Sequence, residues 1–426
     1  MKRISLLLVL LCCVTASAAG VSFDSSAPGP AALAAGVRAA AEGLELPQPA
    51  PRAAEKEWTV LVFINGKNNL EPFGLKDLNE METAGSTDRV NVVVQLARIA
   101  GYSTAEGDWK TVRRYLVKKD SDLSKISSPV LQELPRVDMG DYRSLADFGR
   151  WAKERFPARR YMVIVWNHGS GWKRAPAAGK GISYDDETGS HMSVPQLARA
   201  LAEMGGADVY ASDACLMQMA EVVYELKDTA QFIVGSEETE PADGYSYGPF
   251  LARLLARPAM PPAELAAAVV DAYNDFYASN DTGSTLSVVN TAALPDLLAA
   301  VNAFTSELML SGEKELIVTS AKEAKRYTYP ENKDLYDFTR RVAAATASPG
   351  VKAAAQRLNG VIKGPLVVYN RTTNSTGGIW GANPVYHDDS NGLAVYFPHV
   401  PAAEGYTGLR WAADSGWDEF LAWLSR

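Results

Sequence analysis

Long hydrophobic runs are scarce in this chain of 426 residues. One apolar stretch, Ile4 to Val14, is about half the roughly 20 residues a spanning helix requires, and no later stretch approaches that length. It follows Lys2 and Arg3 and precedes the small-residue signal Ala16-Ser17-Ala18, the order of a secretory signal peptide. Residues 1–18 are therefore expected to be a signal peptide. The mature protein is expected to be soluble, free of the membrane, and secreted or periplasmic.

Cysteine is nearly absent. Of three, Cys12 and Cys13 fall in the signal segment, leaving Cys215 alone and excluding an intrachain disulfide. A lone thiol in an oxidising compartment is a liability unless it is buried and inert or is used. Excess basic charge is also missing: the net charge of −8 and the lack of a basic face exclude a nucleic-acid partner. No Gly-x-Ser-x-Gly elbow occurs, which argues against a serine esterase built on His168-Gly-Ser170. The acidic run Asp185-Asp186-Glu187 lacks the alternating spacing of a calcium loop and reads as a solvated turn. There is no internal repeat.

What the chain does have is a globular composition, with 47% hydrophobic and 22% charged residues. Residues 19–56 are rich in Ala, Pro and Gly and read as a flexible linker or pro-segment. From Trp58 onward, short apolar runs alternate with amphipathic stretches. Thr59–Ile64, Asn91–Leu96, Tyr161–Trp166, Ala207–Ser212 and Phe232–Gly235 read as strands buried on both faces. Leu75–Ala84, Leu145–Arg155 and Val194–Met204 space apolar residues three and four apart, the last opening on Ser193 as an N-cap. Such alternation predicts an α/β fold with a mainly parallel sheet and helices on both faces. Trp109–Val117 reads as an additional strand. The expected catalytic core spans 57–250. Residues 251–426 are more helical, at Ala263–Ala278 and Leu294–Leu308, with strands returning at Leu286–Asn290 and Leu393–Phe397. They either complete or extend that core.

Ligands of open parallel sheets sit beyond the carboxyl ends of the strands. Two strand ends carry reactive groups: Tyr161–Trp166 runs into Asn167-His168-Gly169, and Ala207–Ser212 into Asp213-Ala214-Cys215. One crossover apart, they bring an imidazole and a thiol to the same edge, the pairing that makes a thiol an effective nucleophile. The Gly169 and Cys215 amides are candidates for an oxyanion hole. A helix starting just after Cys215 would favour the thiolate through its positive end. No third member of the catalytic group is evident. His191, His387 and His399 lie in polar loops or beyond a strand and read as ordinary residues, with His191 as the reserve base.

Asn167-His-Gly-Ser-Gly-Trp172, Asp213-Ala-Cys-Leu-Met217 and Ser236-Glu-Glu-Thr-Glu-Pro-Ala-Asp-Gly-Tyr245 resemble the motif set of the clostripain peptidases, relatives of gingipains, legumains and caspases. Asn65-Gly-Lys-Asn-Asn-Leu70, Asp334-Leu-Tyr-Asp-Phe338 and Gly392-Leu-Ala-Val-Tyr-Phe-Pro398 extend the likeness almost to the C-terminus. The resemblance implies a caspase-like sheet, cleavage after Arg or Lys, self-processing and, in some members, calcium as an activator, although thiol chemistry itself requires no cofactor. Peptides or proteins with Arg or Lys before the scissile bond are the expected partners. Selecting them calls for a buried carboxylate. Asp213, two residues before the nucleophile, is the leading candidate and Asp243 a second, with Glu237 and Glu238 behind it. Between His168 and Cys215 lies Lys173-Arg-Ala-Pro-Ala-Ala-Gly-Lys-Gly181, a loop of the kind proteases nick, with Lys180 the preferred site of self-cleavage. The competing reading is a catalytically inactive exported binding protein on the same fold.

Overall fold

The computed structural model describes residues 55–172, 181–377, 383–398 and 402–426. Residues 55–426 form one compact unit around a nine-stranded sheet. In chain order its strands are β1 (Lys56–Gly66), β2 (Val90–Arg98), β3 (Val112–Leu116), β4 (Val130–Leu134), β5 (Ala158–Trp166), β8 (Ala207–Asp213), β9 (Ala230–Gly235), β10 (Ser284–Asn290) and β12 (Val367–Thr373). A small ribbon, β6 (Ile182–Asp185) with β7 (Ser190–Met192), and a pair, β11 (Asn332–Asp334) with β13 (Ala394–Tyr396), complete the set.

The spatial order is β12-β10-β9-β8-β5-β1-β2-β3-β4. The five central strands, β9 through β2, are parallel, and the two strands at each edge are antiparallel. The sequence accounts for this division. In β2 all nine residues are buried, as two covered faces require, whereas edge strand β4 has no fully buried residue. Side chains alternate across the pleat. Val60, Val62 and Ile64 of β1 enter one apolar layer with the helices Glu71–Glu82, Tyr247–Ala256 and Pro262–Ser279. Leu61 and Phe63 enter the other, with Tyr142–Arg155, Val194–Glu203 and Leu294–Ser311. Helices thus cover both faces, as the alternation of patterns predicts. Ser193 caps its helix through a complete capping box with Gln196.

The part beyond residue 250 does not stand apart: β10 and β12 extend the central sheet. The expected strand at 393–397 is short and pairs with β11 outside that sheet. Strand β12, Val-Val-Tyr-Asn-Arg-Thr-Thr, was not expected because its polar half lies at the sheet edge and lacks a buried strand's apolar density. Chain order reverses between β1 and β5: β2 lies on one side of β1, and β5, β8 and β9 follow on the other. That switch point opens a crevice at the carboxyl ends of the strands.

Candidate active site

The register of the two central strands sets the geometry. Trp166 of β5 is opposite Asp213 of β8, so His168 and Cys215 each lie two residues past the same rung. Both line a cavity of about 310 Å³ with Asn69, Asp213 and Glu240. Asn167 ties the strand ends together: its Nδ2 donates to the Asn65 carbonyl at 2.6 Å, and its Oδ1 accepts from the Tyr184 amide at 2.7 Å. The histidine is thereby carried on a backbone fixed from both sides.

His168 Nε2 lies 2.8 Å from Oδ1 of Asn69, beyond the end of β1. An amide oxygen only accepts, so this contact places the proton on Nε2 and leaves Nδ1 with its lone pair. Asn69 is thus the side chain on the imidazole's far nitrogen, a place for which the sequence offered no candidate. It lies inside the Asn65–Leu70 motif, and the strand-end rule applied to β1 as well as to β5 and β8 would have found it. Burial lowers the His168 pKa, opposed by the charge of Asp186.

Gly169 and Ile182 form an antiparallel bridge whose bonds are made by their neighbours, Ser170 N to Gly181 O at 2.9 Å and Ser183 N to His168 O at 3.3 Å. In such a pair the central residue's own N–H turns away from the bridge, and among the described residues the Gly169 amide has no partner. A β-carbon at 169 would lie 2.4 Å from the Cys215 carbonyl oxygen and 3.2 Å from its amide nitrogen. Glycine is what permits these two backbones to approach.

After Cys215 the chain does not enter a helix. Leu216 adopts a left-handed φ of 64°, and its amide bonds Glu238 O at 3.0 Å while Gln218 N bonds Ser236 O at 3.0 Å. This short antiparallel run delays the helix to Ala220–Glu225, so the expected dipole stabilisation of the thiolate is not provided. The run also brings Glu240 onto the thiol, its amide donating to Cys215 Sγ at 3.3 Å. Burial, and then the charge of Glu240, push the Cys215 thiol up to about 11. Among the described residues no hydrogen bond joins His168 to Cys215, and each is held by another partner.

Asp213 is 4% exposed. Its Oδ2 accepts from the Tyr247 hydroxyl at 2.7 Å and its Oδ1 from the Tyr245 amide at 3.1 Å. Gly244 packs against it with φ 59°, where a β-carbon would come within 2.7 Å of Oδ1.

The comparisons with known proteins bear on this arrangement. The model of the clostripain family matches residues 62–423. The chain belongs to the clostripain family. Clostripain of Hathewaya histolytica is 26% identical over 224 residues, a match spanning 46% of this chain and only 42% of that protein. Among solved structures, a secreted C11 cysteine protease from Bacteroides thetaiotaomicron bound to an irreversible peptide inhibitor aligns with a TM-score of 0.65 at 22% identity, covering 85% of this chain and 100% of that one. An inactive zymogen C11 protease from Parabacteroides distasonis gives 0.65 at 19%, covering 85% and 98%. At these identities the structures establish the shared fold.

Within the clostripain-family site, the remaining residues singled out from the sequence are placed as follows. Asp243 is 43% exposed and forms an ion pair with Lys76 at the surface, outside the cavity lining. Glu240, three residues earlier and not singled out from the sequence, takes the inner place. His191 stacks on Tyr184 at 5.3 Å, and His387 is buried beside Gly283. Lys180, the rest of segment 173–180 and His399 lie outside the described residues. Asp185 and Glu187 both face Lys67 Nζ, at 3.4 and 2.6 Å, and Glu187 also binds Arg136. With cations already on its oxygens, this run does not fit calcium. Among the described residues no group of three metal-ligating side chains converges.

Proposed function

We propose that this chain is an exported cysteine endopeptidase that hydrolyses peptide bonds after Arg or Lys, with Cys215 as nucleophile and His168 as base. The observation carrying this reading is the meeting of His168 and Cys215 on one cavity, two residues beyond paired positions of adjacent parallel strands. Family membership supports it, and the retention of both reactive groups disfavours an inactive binding protein.

The chemistry follows from the groups present. With Asn69 holding Nε2–H, Nδ1 of His168 takes the thiol proton as Sγ attacks the scissile carbonyl. The Gly169 and Cys215 amides receive the developing oxyanion. The C–N bond then breaks as the imidazolium returns its proton to the departing amine. Water, deprotonated by the same imidazole, releases the acyl group and restores the thiol. Asp213 faces the basic side chain of the substrate.

A thiol held by the Glu240 amide and not bonded to His168 corresponds to a latent enzyme in this reading. Self-cleavage after Lys180, between the dyad residues, would be its maturation step. No cofactor is assigned to the chemistry, and residues 185–187, whose Asp185 and Glu187 are paired with Lys67 and Arg136, are not assigned to calcium.

The test is cleavage of a peptide library by purified mature protein, with and without calcium, before and after iodoacetamide. Cuts after Arg and Lys that alkylation abolishes are expected. Equal rates on Arg, Leu and Asp peptides would reject the specificity. Mass spectrometry should find a break after Lys180, Arg174 or Lys173 in the wild type and none in Cys215→Ala; a break in both would assign the cut to another protease.

A further inference from the structure

Asp213 shares its buried site with a second acid. The carboxyl oxygens of Glu240 are withdrawn from solvent although the residue as a whole is partly exposed, and neither makes a hydrogen bond of ordinary geometry. Such a group is costly unless it is neutral or paired. The Asp213 carboxyl lines the same cavity, and two neighbouring carboxyls can bond to each other only when one holds a proton. Burial first, and then the charge of Asp213, hold Glu240 well above the usual carboxylate range, with the Ala214 amide pulling weakly the other way.

No cation relieves this cluster from within. On the helix Glu71–Glu82, Asp77 is also buried and acid, with one oxygen on Trp166 Nε1 at 2.7 Å and the other without a donor, and Glu80 lies nearby. Tyr245 of the loop, Tyr247 at the start of the helix Tyr247–Ala256, and Tyr273 and Tyr277 of the helix Pro262–Ser279 face the pair as neutral phenols raised by burial. The Cys215 thiol faces it from the strand end. Lys76 is exposed and engaged by Asp243 at the mouth.

We propose that Glu240 is a second specificity-determining carboxyl, sharing one proton with Asp213 in the closed site, and that a substrate's basic side chain binds by displacing that proton and contacting both acids. This rests on the peptidase reading above and adds a residue to it. The proton leaves to solvent as the cation enters, so the pair goes from one negative charge to two against one positive charge. A guanidinium offers five donors in a planar fork and can address two carboxylates, whereas an ammonium is a point charge. The geometry accordingly favours Arg over Lys through Glu240.

Processed enzyme provides the test, with benzamidine as a competitive probe of the pocket and peptide substrates carrying Arg, Lys or the neutral isostere citrulline before the scissile bond. In the wild type, benzamidine affinity should rise between pH 5.5 and 7.5 by up to about tenfold per pH unit, the signature of one proton released. Glu240→Gln should weaken benzamidine about tenfold or more at pH 7.5, flatten that slope and lower the Arg-to-Lys ratio. Glu240→Asp, which keeps the charge with a shorter reach, should retain the slope and serves if the amide variant does not mature. Unchanged affinity and slope in Glu240→Gln, or a flat profile in Glu240→Asp, with Arg still preferred over citrulline, would overturn the role of Glu240 and leave the basic specificity standing. Equal cleavage of Arg and citrulline substrates by the wild type would instead bring down the specificity reading itself, and this inference with it.

Discussion

Two buried carboxyl pairs hang from the same loop, three residues apart, and differ in what surrounds them. Glu237 is paired with Asp334, and nearly every oxygen there has a donor. The Tyr327 hydroxyl lies 2.8 Å from Glu237 and 3.1 Å from Asp334, Gly392 N donates to Glu237 at 2.7 Å, and Asn391 and Asp337 donate to Asp334. One Glu237 oxygen is left over. Glu240 beside Asp213 has donors on the Asp213 side only. The first pair staples the loop to β11 and to the segment before β13. The second faces a cavity beside the reactive thiol. Buried acids that collect donors hold a fold together, and buried acids left without them are placed for something that arrives later.

The sharpest way to break this contrast is at the reactive groups, where the largest effects are expected. Cys215→Ala should leave no measurable peptidase turnover, and His168→Ala should lower it on the order of 10²–10⁴-fold. The double variant should be no worse than Cys215→Ala, because the two groups act as one unit. Kinetics on folded protein check this. Substantial turnover by folded Cys215→Ala would end the dyad assignment.

The next effect is expected at the pocket acid. Asp213→Asn should cost about 3–5 kcal/mol in kcat/KM on Arg substrates, roughly 10²–10⁴-fold, because a buried substrate cation loses its partner. The citrulline substrate, which brings no charge, should lose far less. If both fall equally, Asp213 is holding the loop through Tyr245 and Tyr247 and not the substrate.

A smaller effect tests positioning. Asn69→Ala should lower kcat about tenfold with KM little changed, since the imidazole would lose its orienting acceptor. Asn69→Asp should restore the contact and, by adding a negative charge beside Nε2–H, move the acid limb of the pH profile upward. A KM effect alone, or no rescue by Asp, would reduce Asn69 to a packing residue.

The parallel centre of the sheet was legible in the sequence because burial on both faces writes itself as dense β-branched runs, and the meeting of His168 and Cys215 on one cavity because both sit where such runs stop. Edges were less legible. Strand β4 is exposed and β12 mixes Val367 with Asn370 and Arg371, so neither carries the apolar signature of a core strand. Asn69 and Glu240 escaped for another reason. Their placement depends on β1 adjoining β5 and on the 236–240 segment pairing back onto residues 216–218, long-range contacts that no local spacing encodes. Asp243 drew attention as an acid in the right loop, and only the fold separates it from Glu240, because Lys76 holds it at the surface.

The smallest expected effect belongs to the structural pair and concerns stability alone. Burial, reinforced by the charge of Asp334, raises Glu237 to about 8 from an ordinary value of 4.5. The folded state therefore keeps a proton that the unfolded chain gives up as pH rises through the ordinary range. Stability contributed by this group is complete below about pH 4.5 and declines until the folded group itself ionises near pH 8. Glu237→Gln imitates the protonated form and cannot ionise, so its melting temperature should match the wild type near pH 4.5 and exceed it increasingly toward pH 8. Arg and Lys cleavage should be unaffected when both proteins are folded, because Glu237 lies outside the cavity lining. Thermal melts across this range decide the point: a variant less stable than the wild type at pH 8 would mean that the charged form of Glu237 is the one the Tyr327 and Gly392 donors were built to hold.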